Sequence, residues 1–244
     1  MKFLFLNSNI IETVIFDFDG TLAKLNIDFP YMHRVIDQLI SDHKMSTQPL
    51  HSGHVLERIS ETAAILQNQK PEKAKAFRDE AFRRIETIEI EAARQGELFD
   101  QTKSLLTELR QRSIRIGIVT RNCARAVQTV FPDIGSFCPV VVSRDDVREV
   151  KPHPEHITTA LHLLGSLPRT SLMVGDHPLD IETGRNAETF TAGVLSGHFA
   201  ADDFIKAGAD IVLKRAADIL SELAPAGDLT VSGGHQPPNS MQDV

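Results

Sequence analysis

The 244-residue sequence has no tryptophan, and that absence bears on nothing functional. Its two cysteines, Cys123 and Cys138, are too few for a disulfide framework. Both read as small buried hydrophobes. Cys123 stands close behind Thr120, but no Cys/His pattern makes it a catalytic thiol. There is no block of basic residues, and the net charge is −7, so a nucleic-acid partner is not supported. A negative total charge gives an anionic ligand no long-range steering, so any attraction for one has to be local. No apolar stretch approaches the ~20 residues that span a bilayer, so no membrane partner is expected. Met1 to Leu6 begins like a signal peptide, but the run stops at Asn7-Ser8-Asn9, short of the usual apolar core of about 7–15 residues. A cytoplasmic location is the expectation.

What the chain does have is polar chemistry at the ends of apolar runs. Val14-Ile15-Phe16 reads as a buried strand, followed by Asp17-Phe18-Asp19-Gly20-Thr21-Leu22. Ligands of open α/β sheets sit outside the carboxyl ends of the strands. Residues two apart on a strand share a face, although a turn at Asp19 can re-aim the second acid. Paired carboxylates repel unless a cation or a shared proton intervenes, and a hard cation such as Mg²⁺ suits them. Three further apolar runs end in polar groups. Ile114 to Val119 ends at Thr120, and Pro139 to Ser143 precedes Lys151-Pro152. Ser171 to Gly175 ends at Asp176, with Asp180 four residues on.

The organisation is a core interrupted once. Between Leu22 and Leu98 no strand-like alternation appears, and three stripes of helical spacing take its place. They are Met32, Val35, Ile36, Leu39 and Ile40, then Leu56, Ile59, Ala63 and Leu66, then Ala74, Phe77, Ala81, Ile85, Ile88 and Ala92. Roughly 75 residues is far beyond a usual βα connection. After Leu98 strands and helices alternate. Leu105, Leu106 and Leu109 stripe a first helix, and helices are expected over 124–131, 154–164 and 180–187. Later strands are expected over 190–195 and 209–213. This predicts an α/β fold, a Rossmann-like doubly wound parallel sheet with an inserted all-helical domain. The core is expected over 1–22 and 99–224, the helical insertion over 23–98. The stretch from Pro225 to Val244, rich in Gly, Pro, Ser and Gln, is expected to be a disordered tail.

Taken in order, these strand ends resemble the four motifs of the haloacid dehalogenase superfamily, most of whose members are phosphatases. The resemblance runs over residues 14 to 187. It implies that Asp17 is a nucleophile and Asp19 the acid and base. Thr120 then hydrogen-bonds the phosphoryl group, and Lys151 neutralises nucleophile and phosphate. Mg²⁺ would be held by the Asp17 carboxylate, the Asp19 carbonyl and Asp176, with Asp180 nearby. The helical insertion resembles the cap of one subclass. The activity implied is Mg²⁺-dependent hydrolysis of a phosphate monoester, the partner being a small phosphorylated metabolite. Dehalogenases and phosphonate-cleaving relatives lack the second Asp of the first motif, so Asp19 favours phosphate esters. A phosphosugar mutase keeps both acids and is the alternative enzyme. A non-catalytic regulator on the same fold is the alternative of another class, but it should have lost Asp17, Asp19, Lys151 or Asp176.

Three departures from the family pattern are visible. Arg121 follows Thr120 where Asn or Ser is common, and its fork suits an anionic group of the substrate. A surface arginine is the competing reading. His177 follows Asp176 where a small hydroxyl residue is usual; it is a phosphate or carboxylate contact, or a solvated loop residue. Ala23-Lys24-Leu25 replaces the Val-Asp-Ser common in phosphoglycolate-type enzymes, which weakens that assignment. No motif speaks to oligomeric state.

Overall fold

Residues 4–6, 9–45, 53–69 and 71–225 are described in the computed structural model. Within them the expected α/β architecture is present. The central sheet has six parallel strands. An antiparallel pair, β1 (Leu4–Leu6) and β2 (Asn9–Ile11), precedes it. The sheet begins with β3 (Thr13–Phe16), all four residues of which are buried. Burial on both faces is why this strand reads as a continuous apolar run.

The chain then leaves through β4 (Ala23–Lys24) and builds three helices. These are α1 (Phe29–Asp42), α2 (Val55–Gln69) and α3 (Pro71–Arg94). Asp28 caps α1 by accepting from the Tyr31 N–H at 2.8 Å, and Pro30 sits in its first turn, where no N–H is needed. The helices share a core of their own, with Ile36, Ile40, Ile59, Phe77, Ala81 and Ile85 at its centre. The chain returns through β5 (Glu97–Leu98), which pairs antiparallel with β4. Two-residue strands carry no alternation, so this ribbon is absent from the sequence expectation.

The α3 stripe also departs from expectation at its end. Its buried face continues through Glu89 and Ala93, with Ile88 and Ala92 only half-buried. The apolarity pattern finds Ile88, which packs on the helical core, but misses Glu89 because the helix turns a carboxylate inward to meet a buried arginine.

The remaining elements alternate, with two helices after residue 200 beyond those expected. In order they are α4 (Thr102–Gln111), β6 (Arg115–Val119), α5 (Ala124–Val130), β7 (Val140–Val142), α6 (Glu155–Leu164), β8 (Ser171–Gly175), α7 (Pro178–Asn186), β9 (Phe190–Val194), α8 (Ala201–Ala207), β10 (Ile211–Leu213) and a short α9 (Ile219–Glu222). The strand order is β10-β9-β8-β3-β6-β7. On one face of the sheet Val14, Phe16, Ile118 and Val174 pack with Leu105, Leu109 and Val127. On the other Ile15, Val119 and Met173 pack with Ile157 and Leu161. Each such side chain contributes about 1.5–3 kcal/mol on burial.

Finally β11 (Ala224–Pro225) pairs with β1. Of the expected tail only Pro225, held in this strand, is described; the rest lies outside the described residues. No helix among the described residues is long and apolar enough to cross a membrane.

Candidate active site

The strand order reverses around β3: the chain goes from β3 to β6 and β7 on one side, then to β8 on the other. Ligands of open α/β sheets bind at such a reversal. The polar residues singled out in the sequence stand at these strand ends. Asp17 follows β3, Thr120 follows β6, Lys151 lies in the loop after β7, and Asp176 follows β8.

Lys151 is 3% exposed, and its ammonium donates to Asp17 Oδ1 at 2.5 Å and to Asp180 Oδ1 at 2.7 Å. One oxygen each of Asp17, Asp176 and Asp180 lie within 4.8 Å of one another. With all three carboxylates ionised, the one ammonium would leave two negative charges uncompensated. Burial accordingly pushes Asp17 up to about 7, against the pull of Lys151. Burial, then the charges of Asp17 and Asp180, push Asp176 up to about 8. Lys151 is held above the ordinary lysine range: burial opposes its charge, but Asp17 and Asp180 more than offset that. Asp180 also accepts from the His177 N–H at 3.1 Å.

Asp176 accepts from the Thr21 hydroxyl at 3.1 Å. Its carboxylate is wedged between two glycines: a Cβ on Gly20 would lie 2.2 Å from Asp176 Oδ2, and one on Gly197 2.1 Å. Gly20 has φ +84, so only glycine takes that turn without strain. The excess charge, the all-oxygen donors and this cradle fit a hard divalent cation.

Asp19 leaves the strand direction at this turn. Its Oδ1 accepts from the Leu25 N–H at 2.9 Å, and burial raises its pKa. The Gly20 N–H donates to the Ala23 carbonyl at 2.7 Å, and Ser196 Oγ donates to the Gly20 carbonyl at 2.6 Å. Thr120 is buried, and its Oγ1 accepts from the Asn122 N–H at 3.2 Å.

The two departures beside these residues have definite places. His177 caps α7, its Nδ1 accepting from the Leu179 N–H at 2.9 Å, and its ring packs on Phe199 at 4.4 Å. Arg121 forks onto Glu57 of α2, at 2.8 Å to Oε1 and 2.7 Å to Oε2, and donates to the Lys151 carbonyl at 2.6 Å.

Some of the supporting residues are invisible in the sequence. His156 is fully buried; its Nδ1 accepts from the Lys151 N–H at 3.3 Å, and its Nε2 lies 3.1 Å from the Val142 carbonyl. Burial and Lys151 push it down to about 3, so it stays neutral and supports the lysine's backbone. Glu89 accepts from the Cys123 N–H at 3.0 Å and from Arg144. Cys123 itself is no nucleophile: burial, aided by Glu89, pushes its thiol up to about 12.

A model of haloacid dehalogenase-like hydrolases matches residues 14–194, which contain Asp17, Asp19, Thr120, Lys151, Asp176 and Asp180. The chain belongs to that family. It is similar to the pyrophosphatase PpaX of Bacillus pumilus (strain SAFR-032), 30% identical over 222 residues, which cover 88% of this chain and 98% of the relative. Among solved structures, a hydrolase from Pseudomonas syringae matches with TM-score 0.60 and 21% identity over 86% of this chain and 96% of its own. CbbY from Rhodobacter sphaeroides, in complex with phosphate, matches with TM-score 0.59 and 20% identity over 87% and 99%. At these identities the structures support the fold alone.

Proposed function

We propose that this member of the haloacid dehalogenase-like hydrolases is a Mg²⁺-dependent phosphatase of small phosphorylated substrates. The observation that carries the reading is the buried cluster of Asp17, Asp176, Asp180 and Lys151 at the reversal of the sheet. Asp17, Asp176 and Asp180, with the Asp19 carbonyl, would hold Mg²⁺. When bound, Mg²⁺ supplies positive charge next to the nucleophile and the transferred phosphoryl oxygens.

Asp17 attacks phosphorus, and the bond to the leaving oxygen breaks as Asp19 protonates it. Asp19 then takes a proton from the water that attacks the aspartyl-phosphate, which releases phosphate and restores Asp17. Thr120 donates its hydroxyl to a phosphoryl oxygen, and Lys151 balances charge between nucleophile and phosphate. Positioning and charge compensation are most of what this chemistry requires. The helical block over 23–98 acts as a cap that excludes water from the cleft.

The natural substrate is a phosphate monoester in the first reading. The relatives named pyrophosphatase bring a phosphoanhydride forward as the second. Initial rates with Mg²⁺ on nitrophenyl phosphate, a set of phosphorylated metabolites and inorganic pyrophosphate test both. Asp17→Asn should abolish turnover of all of them. Activity within roughly tenfold of wild type, about 1.4 kcal/mol of barrier, would show that Asp17 is not the nucleophile.

A further inference from the structure

Arg121 sits one residue past Thr120, and its guanidinium is anchored on the backbone carbonyl of Lys151 at 2.6 Å. The remaining face of its fork is filled by both oxygens of Glu57. Glu57 is not a core residue. It comes from the first turn of α2, in the helical block, and pairs with Arg121 on the sheet side. A bidentate carboxylate is the preferred occupant of an arginine fork, and another carboxylate or a phosphate fits the same geometry. Neither partner is deeply buried: the side chains are 19% and 27% exposed, so an exchange of anions does not strand a charge out of water.

Glu57 also has somewhere to go. Its other side lines a cavity of about 480 Å³ between the helical block and the loop around Pro152. That cavity is lined by Arg78, Arg144 and Arg148 as well as by Glu61 and Glu149. Arg144 is already paired with Glu89, so Arg78 and Arg148 are the cationic partners that a carboxylate turned inward would find there.

We propose that Glu57 holds the place of a second anionic group of the substrate on Arg121. The leaving group of this phosphatase then carries a carboxylate or phosphate of its own, which displaces Glu57 from the fork. The inference rests on the phosphatase reading and goes further, because it names the substrate class and the residue pair that selects it. Substrates with a neutral tail leave Arg121 on Glu57 and gain nothing from it. The negative net charge of the chain makes such a local cation the means of attracting a doubly anionic substrate.

The test uses matched phosphate esters, one with a carboxylate tail (phosphoglycolate) and one with a neutral tail of the same length (the monophosphate of ethylene glycol). Inorganic pyrophosphate is included as the arm whose second group is a phosphate. The quantity read is the ratio of kcat/KM, anionic tail over neutral tail, in Mg²⁺. Arg121→Ala should lower this ratio at least about tenfold, the worth of a charge-assisted hydrogen bond. Glu57→Gln should raise it through a lower KM for the anionic member, because the competitor for the fork has lost its charge. A carboxylate source is indicated if phosphoglycolate alone responds, and a phosphate source if pyrophosphate alone responds. Ratios that stay at the wild-type value in both variants overturn the proposal. So does a Glu57→Gln variant that raises KM for anionic and neutral tails alike, which is the signature of a simple closing latch. Nitrophenyl phosphate separates the two layers. If the wild type hydrolyses it with Mg²⁺ while the ratios do not move, the phosphatase reading stands and this inference falls. If no phosphate compound is turned over, both fall.

Discussion

Asp17 and Asp19 show how one turn separates two acids that are nearly adjacent in the chain. Asp17 ends a strand and meets Lys151, whereas Asp19 is drawn aside by the Leu25 N–H. Burial raises Asp19, the direction that a general acid for a leaving alkoxide requires. Asp19→Asn should therefore cost at least ~10² in kcat on an unactivated ester, the usual scale of general acid–base catalysis. The loss should be smaller on nitrophenyl phosphate, whose leaving group needs little protonation. Rate measurements on the two esters side by side decide the matter, and equal losses argue against the acid role. The same scale explains what the sequence conceals. Asp17, Thr120 and Asp176 are legible because each closes an apolar run, and Lys151 because it follows one in motif order, which is a local pattern. Glu57, Glu89 and His156 are not, since each draws its meaning from a partner that folding brings close. Glu57 is 64 positions from Arg121 and Glu89 is 55 from Arg144. A lone glutamate on a helix gives no hint of such a partner.

At the level of elements, the stripes predict α1, α2 and the first part of α3 because those faces pack on apolar neighbours. They fail at the end of α3, where the buried contact is an ion pair. Glu89 and Arg144 are both nearly enclosed, Arg144 also lies 5.6 Å over the Phe82 ring, and its Nη1 reaches the Arg121 carbonyl at 3.3 Å. This joins α3 to the loop that carries Thr120 and Arg121. Removing one member of a buried pair strands the other charge. Glu89→Ala should then lower stability by about 3–5 kcal/mol, read from urea unfolding at neutral pH. A loss below about 1 kcal/mol would mean that the pair behaves like a surface one.

For the molecule as a whole, the metal-free cleft works against folding. Asp17 near 7 and Asp176 near 8 bind their protons more tightly when folded than in the unfolded chain, where carboxyls titrate near 4. The folded state thus holds more protons between pH of about 4 and 8, and stability falls as pH rises through that window. Mg²⁺ should bind the folded cluster and not the scattered acids, adding about 2.7 kcal/mol at a hundred times its dissociation constant. The melting temperature in Mg²⁺ should exceed that in EDTA by a margin that widens from pH 5 to pH 8. Matched NaCl should not reproduce it. A margin that is flat or shrinks with pH would dissociate the metal from these carboxylates.

The pairing of β1 with β11 sets Leu4 directly opposite Pro225. The stretch between these two residues is therefore a loop that lacks only its clasp. Bringing residues 4 and 225 together costs the chain loop-closure entropy, and here the two meet without any covalent tie. Joining them through a short linker would take that entropy from the unfolded ensemble and leave the folded one nearly untouched. On the loop-entropy account a ring of this size gains about 5 kcal/mol. The same adjacency would let the ring be cut open elsewhere, so the order in which this fold is read out along its chain is one choice among several.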